Sequence, residues 1–439
     1  MGQIGLALII SITTLIAASR YLKLHPFFSL LLAALIFGVV IDKPILEVLA
    51  SMQMGFGSLL QQIGFLVAIG SCLGIMMERT GAMASIGNKI VSAFGAGKTL
   101  VAMSVIGVVV GIPVFCDSGF IILSRLIPAL SSPTINQAQL SLALSSGLYS
   151  SHTLVPPTPG PLAAAANLGM SANLGLVMLI GFMGALPAAL VALVVSKKIG
   201  LHIQVTQSTQ QELKKSEQNT ILVFLPLALP ILLISLASIP SIIPALDYFS
   251  FVFKILGTPS VALLIGLLCA MFLLTKEQKN EWPGWISEAL KDAGLILLIT
   301  GAGGSFGAVI KSSGIDVILK DHIEGSQAGG VYFLLIAFAL GSILKTAQGS
   351  STSAIIITSS LLAPLTALAG FTSALHLSTL ILAIGGGAMT VSHANDSYFW
   401  VVSQFSGMSE RDAYKSFTLI TLAQGLTVLA TSILLFVLL

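Results

Sequence analysis

Residues 151–161 read SHTLVPPTPGP and residues 392–400 read SHANDSYFW, two polar, helix-breaking stretches set in otherwise apolar sequence. Each opens on a Ser-His dipeptide, Ser151-His152 and Ser392-His393. Each is preceded by a second interruption, GIPVFCDSGF (111–120) in one half of the chain and KTAQGSSTSA (345–354) in the other. Polar, broken backbone at membrane depth is tolerated only where protein or a water-filled cavity satisfies it. Four such breaks, two per half, predict an all-α polytopic membrane protein. Its binding site is expected between two inverted-topology repeats with broken helices and re-entrant hairpins.

The composition sets the same frame. Of 439 residues, 55% are hydrophobic and only 8% are charged. A soluble domain carries about 25% charged residues, so a globular cytosolic protein is excluded. Apolar runs recur from residues 3–19 to 416–439, many of them long enough to approach a bilayer's thickness. A net charge of +3, dispersed along the chain, gives no basis for nucleic-acid binding. Cys72, Cys116 and Cys269 all sit in apolar segments without CxxC spacing, so neither a disulfide framework nor a metal site is expected. The first apolar run lacks a basic leader and a cleavage site and reads as a retained helix.

The polar stretch 196–219 holds Lys197, Lys198, Lys214 and Lys215, and the positive-inside rule makes it a cytoplasmic linker. It divides the chain into repeats 1–195 and 220–439, with both termini expected outside. Three weak matches support the division. GIMMERTG (74–81) matches GAVIKSSG (307–314) at a shift of 307 − 74 = 233. Ser151-His152 matches Ser392-His393 at 392 − 151 = 241, and Gly169-Met170-Ser171 matches Gly407-Met408-Ser409 at 407 − 169 = 238. Amphipathic stretches 44–56 and 283–294 read as equivalent surface helices on opposite faces, the second anchored by Trp282 and Trp285. Glu78-Arg79 reads as an ion pair at a helix end, and the glycines of GAGGSFG (301–307) and GGG (385–387) as close helix contacts.

The breaks supply the chemistry. Pro113 and Gly119 interrupt an apolar run in which Asp117-Ser118 either caps a helix or places a working carboxylate at membrane depth. Gly349 ends a helix, and Ser350, Ser351 and Thr352 then offer hydroxyls and N–H groups at the next helix start, a setting suited to an anion. Lys345, one turn earlier, adds positive charge or else reaches an interface. Pro156, Pro157, Pro159, Gly160 and Pro161 make an irregular link or hairpin tip. His152 and His393 titrate in the range useful for carrying protons, and Asn395 and Asp396 suit hydroxyl recognition or cation coordination. Together these groups match a sugar acid.

At these motifs the sequence resembles the gluconate permease (GntP) family of the ion transporter superfamily. The resemblance runs over essentially the whole chain and is strongest at VFCDSGFIIL (114–123), SHTLVPPTPGPLAA (151–164), GSSTSA (349–354) and SHANDSYFW. It implies import of gluconate or a related hydroxy carboxylate by proton symport, an elevator-type movement, a bacterial inner-membrane location and a homodimer. The chain departs from the commonest pattern at Thr158, where many members have His, and at Asp117, where several have Glu. Lys345 stands where some have Arg, and Ser397-Tyr398 replaces Pro-Gly. Lys keeps the charge but loses the bidentate geometry of Arg, which opens the way to a shorter acid such as glycerate, a four-carbon sugar acid or D-serine.

Asp117 is the expected proton-coupled carboxylate, with His152 and His393 as alternates. Lys345 with Ser350, Ser351 and Thr352 is expected to hold the substrate carboxylate, and Asn395 and Asp396 its hydroxyls. The rivals are a sodium-coupled carrier, a passive channel and an intramembrane enzyme. The enzyme would need a nucleophile–base or metal-ligand spacing that the sequence does not contain.

Overall fold

In the computed structural model the described residues are 2–203, 205, 220–236, 250–313, 330–393 and 396–438. The first half contains α1 (Gly2–Arg20), α2 (Pro26–Val40), α3 (Ile45–Arg79), α4 (Ala82–Phe94), α5 (Thr99–Val110) and α6 (Cys116–Leu123). It continues with α7 (Ile127–Leu130), α8 (Gln137–Leu154), α9 (Pro159–Asn167) and α10 (Leu174–Ile199). The second half contains α11 (Thr220–Leu236), α12 (Ser250–Leu256), α13 (Pro259–Met271), α14 (Trp282–Lys311) and α15 (Val331–Gln348). It ends with α16 (Ser351–Leu362), α17 (Ala374–Met389), α18 (Ser397–Phe405), α19 (Glu410–Lys415) and α20 (Phe417–Leu438). Among the described residues there is no β-strand, and five helical spans are long and apolar enough to cross a membrane.

The long helices α3 and α14 run antiparallel and pack along their length. Their contact is close because glycines face each other: a Cβ on Gly304 would lie 2.6 Å from the Gly55 carbonyl oxygen, and one on Gly301 would meet the Phe56 ring at 2.5 Å. Ser305 Oγ donates to the Met52 carbonyl at 2.8 Å. The glycines therefore serve helix packing, as the sequence suggested. The amphipathic stretches 44–56 and 283–294 are not separate surface helices; they are the first turns of α3 and α14. Nothing breaks either helix, since Gly55 is held against α14 and Pro283 lies in the first turn, where a missing N–H costs little. At 35 residues α3 is roughly 50 Å long and outruns a hydrocarbon core of about 30 Å. Trp285 is buried in the protein rather than set at an interface. Arg79 pairs with Glu288 of α14 at 2.9 and 2.8 Å, not with its neighbour Glu78.

The remaining helices pack in a matched way in the two halves. α5 packs on α8 and α15 on α17; α8 packs on α10 and α17 on α20. α8 is the most enclosed helix, with every residue after Gln137 buried. Small residues make this closeness achievable: a Cβ on Gly107 would lie 2.5 Å from the Leu144 carbonyl oxygen. Gly169-Met170 and Gly407-Met408 end α9 and α18 with the same device, a glycine at positive φ (73° and 67°). The methionine N–H then reaches back to Ala165 O at 2.7 Å and to Ser403 O at 2.9 Å.

Helix α10 and a following single turn carry the chain to His202, past the expected repeat boundary at 195. Of the expected linker, 204 and 206–219 lie outside the described residues, as does Asn395.

Candidate functional site

Each polar break ends one helix and starts a short one, and local chemistry fixes where. Gly349 terminates α15 at φ 72°, and Ser350 caps α16 by accepting from Ser353 N at 3.2 Å. Asp396 caps α18, accepting from Tyr398 N at 3.1 Å. Thr158 precedes α9, and its hydroxyl donates to Val155 O at 2.6 Å. Pro159, Gly160 and Pro161 lie inside the first turn of α9, so only 155–158 is irregular; the helix starts at proline because its φ is already helical and no N–H is needed there. The Pro156-Pro157 bond is cis. Helix α6 begins at Cys116, which puts Asp117 and Ser118 in its first turn instead of before it. Asp117 is therefore not the cap, and its charge lies at the positive end of the helix.

The two halves interlock at these breaks. Short helix α9 packs on α16, and α6 packs on α18. A Cβ on Gly160 would lie 2.9 Å from Ile355 Cδ1 and 3.5 Å from Thr352 Cα, so the starts of α9 and α16 meet. Asn167 at the other end of α9 donates to Ile356 O, Ser359 Oγ and Ser360 Oγ at 3.2, 2.8 and 3.0 Å, so the two helices run in the same direction. At the starts of α6 and α18, Ser397 Oγ donates to Asp117 Oδ1 at 3.5 Å. Pro113 and Phe115 share a small void with Pro157 and Pro159 beneath Gly70 of α3.

The centre of the arrangement is ionic. Lys345 Nζ, in the last turn of α15, donates to Asp396 Oδ2 at 2.5 Å, with side-chain exposures of 1% and 4%. Ser392 Oγ donates to the same oxygen at 2.5 Å. The Ser392 backbone is held by α20: its N–H donates to Thr421 Oγ1 at 3.0 Å, and Thr418 Oγ1 donates to its carbonyl at 2.6 Å. These bonds satisfy both backbone groups of Ser392 and hold its neighbour Val391 at φ 55°, a costly conformation for a β-branched residue. Tyr149 lies under the ammonium, 5.7 Å from ring centroid to Nζ, and its ring packs at 5.3 Å from Tyr398. Asp117 feels the charges of both Asp396 and Lys345.

The expected site residues thus divide. Asp117, Lys345, Ser392 and Asp396 come together, with Gly349, Ser350, Ser351 and Thr352 at the adjoining helix start. Gly119 packs against Leu148. Ser151 and His152 remain inside the last turn of α8, whereas Ser392 and His393 lie beyond the end of α17. The Ser-His match at shift 241 therefore does not pair equivalent positions. The shift of 238 does, because it aligns the helix starts at Thr158 and Asp396 (396 − 158 = 238). His152 packs against Phe115 at 5.9 Å, and His393 lines a depression with Ile16 and Ile343.

Sequence reasoning missed Tyr149, Tyr398 and Gln424. Tyr398 Oη donates to Ser145 O at 2.9 Å, and Gln424 Nε2 donates to Ser150 Oγ at 2.6 Å. Tyr149 carried a usable signal, since it lies one helical turn before His152.

The sequence matches the GntP family permease profile over residues 4–439. The chain belongs to the GntP permease family. With it goes membership of the ion transporter superfamily, and the protein is a multi-spanning membrane transporter, not an enzyme. This GntP permease is 31% identical over 431 residues to an uncharacterized permease of Haemophilus influenzae, covering 92% of this chain and 86% of that one. It is 29% identical over 428 residues to a gluconate permease of Pseudomonas aeruginosa, covering 94% and 92%. Its fold is similar to that of the Alcanivorax borkumensis YdaH transporter, with a TM-score of 0.63 at 14% identity over 89% of this chain and 88% of that one. No group of three or more His, Cys, Asp or Glu suited to a metal ion occurs among the described residues.

Proposed function

We propose that this GntP permease is a secondary active transporter that imports gluconate or a related hydroxy carboxylate with protons across the bacterial inner membrane. The observation that carries this reading is the buried cation Lys345 beside the N-terminus of α16, where hydroxyls and free N–H groups favour an anion. The substrate carboxylate binds there, between Lys345 and the Ser350–Thr352 helix start. Asp117 and Asp396 belong to the same centre and suit hydroxyl recognition and proton binding; Asn395, outside the described residues, is assigned to hydroxyl recognition from the sequence alone. In this reading Asp117 is the coupling carboxylate through which the proton reaches the centre, and His152 and His393 are the alternative proton carriers.

The matched packing of the two halves supports two inverted repeats, 1–195 and 220–439; Lys197, Lys198, Lys214 and Lys215 in the linker between them favour a cytoplasmic linker with both termini outside. A cavity of about 420 Å³, lined by Gln62, Asn167, Lys311 and Ser360, lies between the α3/α14 pair and the ends of α9 and α16. Such a gap supports movement of the short helices as a body against the long ones, an elevator-type cycle.

The test is uptake of labelled gluconate into proteoliposomes under an imposed pH or sodium gradient, with a competition panel of glycerate, four-carbon sugar acids and D-serine. Accumulation driven by the pH gradient is expected. Uptake driven by sodium alone would sink the proton assignment, and indifference to gluconate with response to another acid would replace the substrate.

A further inference from the structure

Among the described residues, Lys345 and Asp396 are the only buried Lys, Arg, Asp or Glu side chains. They neutralise each other, and both oxygens of Asp396 are engaged: Oδ2 accepts from Lys345 and Ser392, and Oδ1 accepts from Tyr398 N. A substrate carboxylate arriving at Lys345 would therefore meet a cation already occupied by a carboxylate of the protein. Two carboxylates on one buried ammonium leave a net negative charge in a poorly solvated place, with Asp117 adding a third anion nearby. The charges balance again if one proton comes with the substrate.

We infer that Asp396 is the internal competitor of the substrate: it holds Lys345 when no substrate does, and it releases Lys345 by taking a proton when the substrate anion binds. The inference rests on the proposed carriage of a hydroxy carboxylate by this site. In the exchange one ion pair breaks and one forms, an O–H bond is made on Asp396, and the net charge of the centre is the same before and after. Binding an anion thereby draws in a proton, and the coupling is reciprocal.

The surroundings suit both forms of Asp396. The Ser392 hydroxyl donates to the carboxylate and can turn to accept from the protonated acid, since a hydroxyl does either. The cap bond from Tyr398 N to Oδ1 needs only an acceptor and survives protonation. Among the described residues the titratable and charged groups around Asp396 are Lys345 on α15, Asp117 and Cys116 on α6, Tyr149 and His152 on α8, Tyr398 on α18 and His393 in its own turn. The contacts from α20 come from the hydroxyls of Thr418 and Thr421 and the ring of Phe417. Lys345 is the one formal positive charge in that set.

The experiment is gluconate binding to the purified full-length protein at a series of pH values, for the wild type, Asp396→Asn and the charge-neutral pair Lys345→Met/Asp396→Asn. Loss of one linked proton makes the fall in affinity with rising pH shallower by about tenfold per pH unit. Asp396→Asn, in which the amide oxygen still caps α18, is expected to show that shallower slope, to bind gluconate at least as tightly as wild type at high pH, and to exchange substrate without accumulating it. The double variant is expected to fold and to lose binding at least about tenfold, because the cation is gone. A wild-type pH slope in Asp396→Asn, or wild-type binding in the double variant, would overturn the exchange and leave the transport reading standing. A wild type that binds gluconate and the panel acids not at all would overturn both.

Discussion

Lys345 Nζ and Asp396 Oδ2 lie 2.5 Å apart and join the end of α15 to the start of α18 across 51 residues of sequence. Both partners are buried, so the pair is costly to break from one side. Lys345→Met alone leaves an uncompensated buried carboxylate and is expected to lose about 3–5 kcal/mol of stability. The Lys345→Met/Asp396→Asn pair should recover most of that loss. Thermal unfolding in detergent of the two single variants and the double closes the cycle; additive losses would mean that the two side chains do not act together.

Asp117 lies in the first turn of α6, within reach of Ser397. Asp117→Asn is expected to abolish uphill uptake in proteoliposomes while exchange of labelled for unlabelled substrate persists. Unchanged accumulation down a pH gradient in that variant would remove Asp117 from the coupling.

Ser350 both caps α16 and stands at the proposed anion site. Ser350→Ala is expected to cost about 1 kcal/mol of stability and to raise the KM for uptake. Ser373 makes the same kind of cap on α17, accepting from His376 N at 3.1 Å, away from the ionic centre. Ser373→Ala should therefore match the stability loss with KM unchanged. Equal KM effects in the two variants would assign Ser350 to structure alone.

Gly304 faces the Gly55 carbonyl, and Gly57 has open space where a Cβ would go. Gly304→Ala should overpack the α3/α14 contact and cost about 1–3 kcal/mol, whereas Gly57→Ala should be neutral or slightly stabilising. Melting temperatures in detergent would decide, and equal effects at the two positions would contradict the close helix contact.

Much of the fold was legible because its signals are local. Apolar runs marked the spans, and Gly349 and Ser350 marked one helix end and the next start within two residues. The glycine-rich runs 301–307 and 385–387 were correctly read as packing surfaces. The errors also have local causes. The amphipathic pattern of 44–56 suggested a separate surface helix, but no residue there stops α3. The prolines of 156–161 suggested a fully irregular link, yet three of those six residues open α9, where proline is tolerated. Repeated Ser-His dipeptides suggested equivalent positions, and helix starts three residues out of step with them showed otherwise.

The sequence by itself determined an all-α membrane transporter, the positions of its four polar breaks and the motifs that place it among the GntP permeases. Those properties depend on hydropathy, backbone freedom and capping, which act within a turn or two of the residue concerned. Only the tertiary structure decided which break meets which. Helix α6 pairs with α18 and α9 with α16, each across the halves, so that Asp117 meets Ser397 across 280 residues, and within the second half the end of α15 reaches the start of α18, where Lys345 finds Asp396. Partners so far apart are chosen by the packing of α5, α8, α15 and α17 around them, and burial then turns a lysine and an aspartate into the ionic centre of the site.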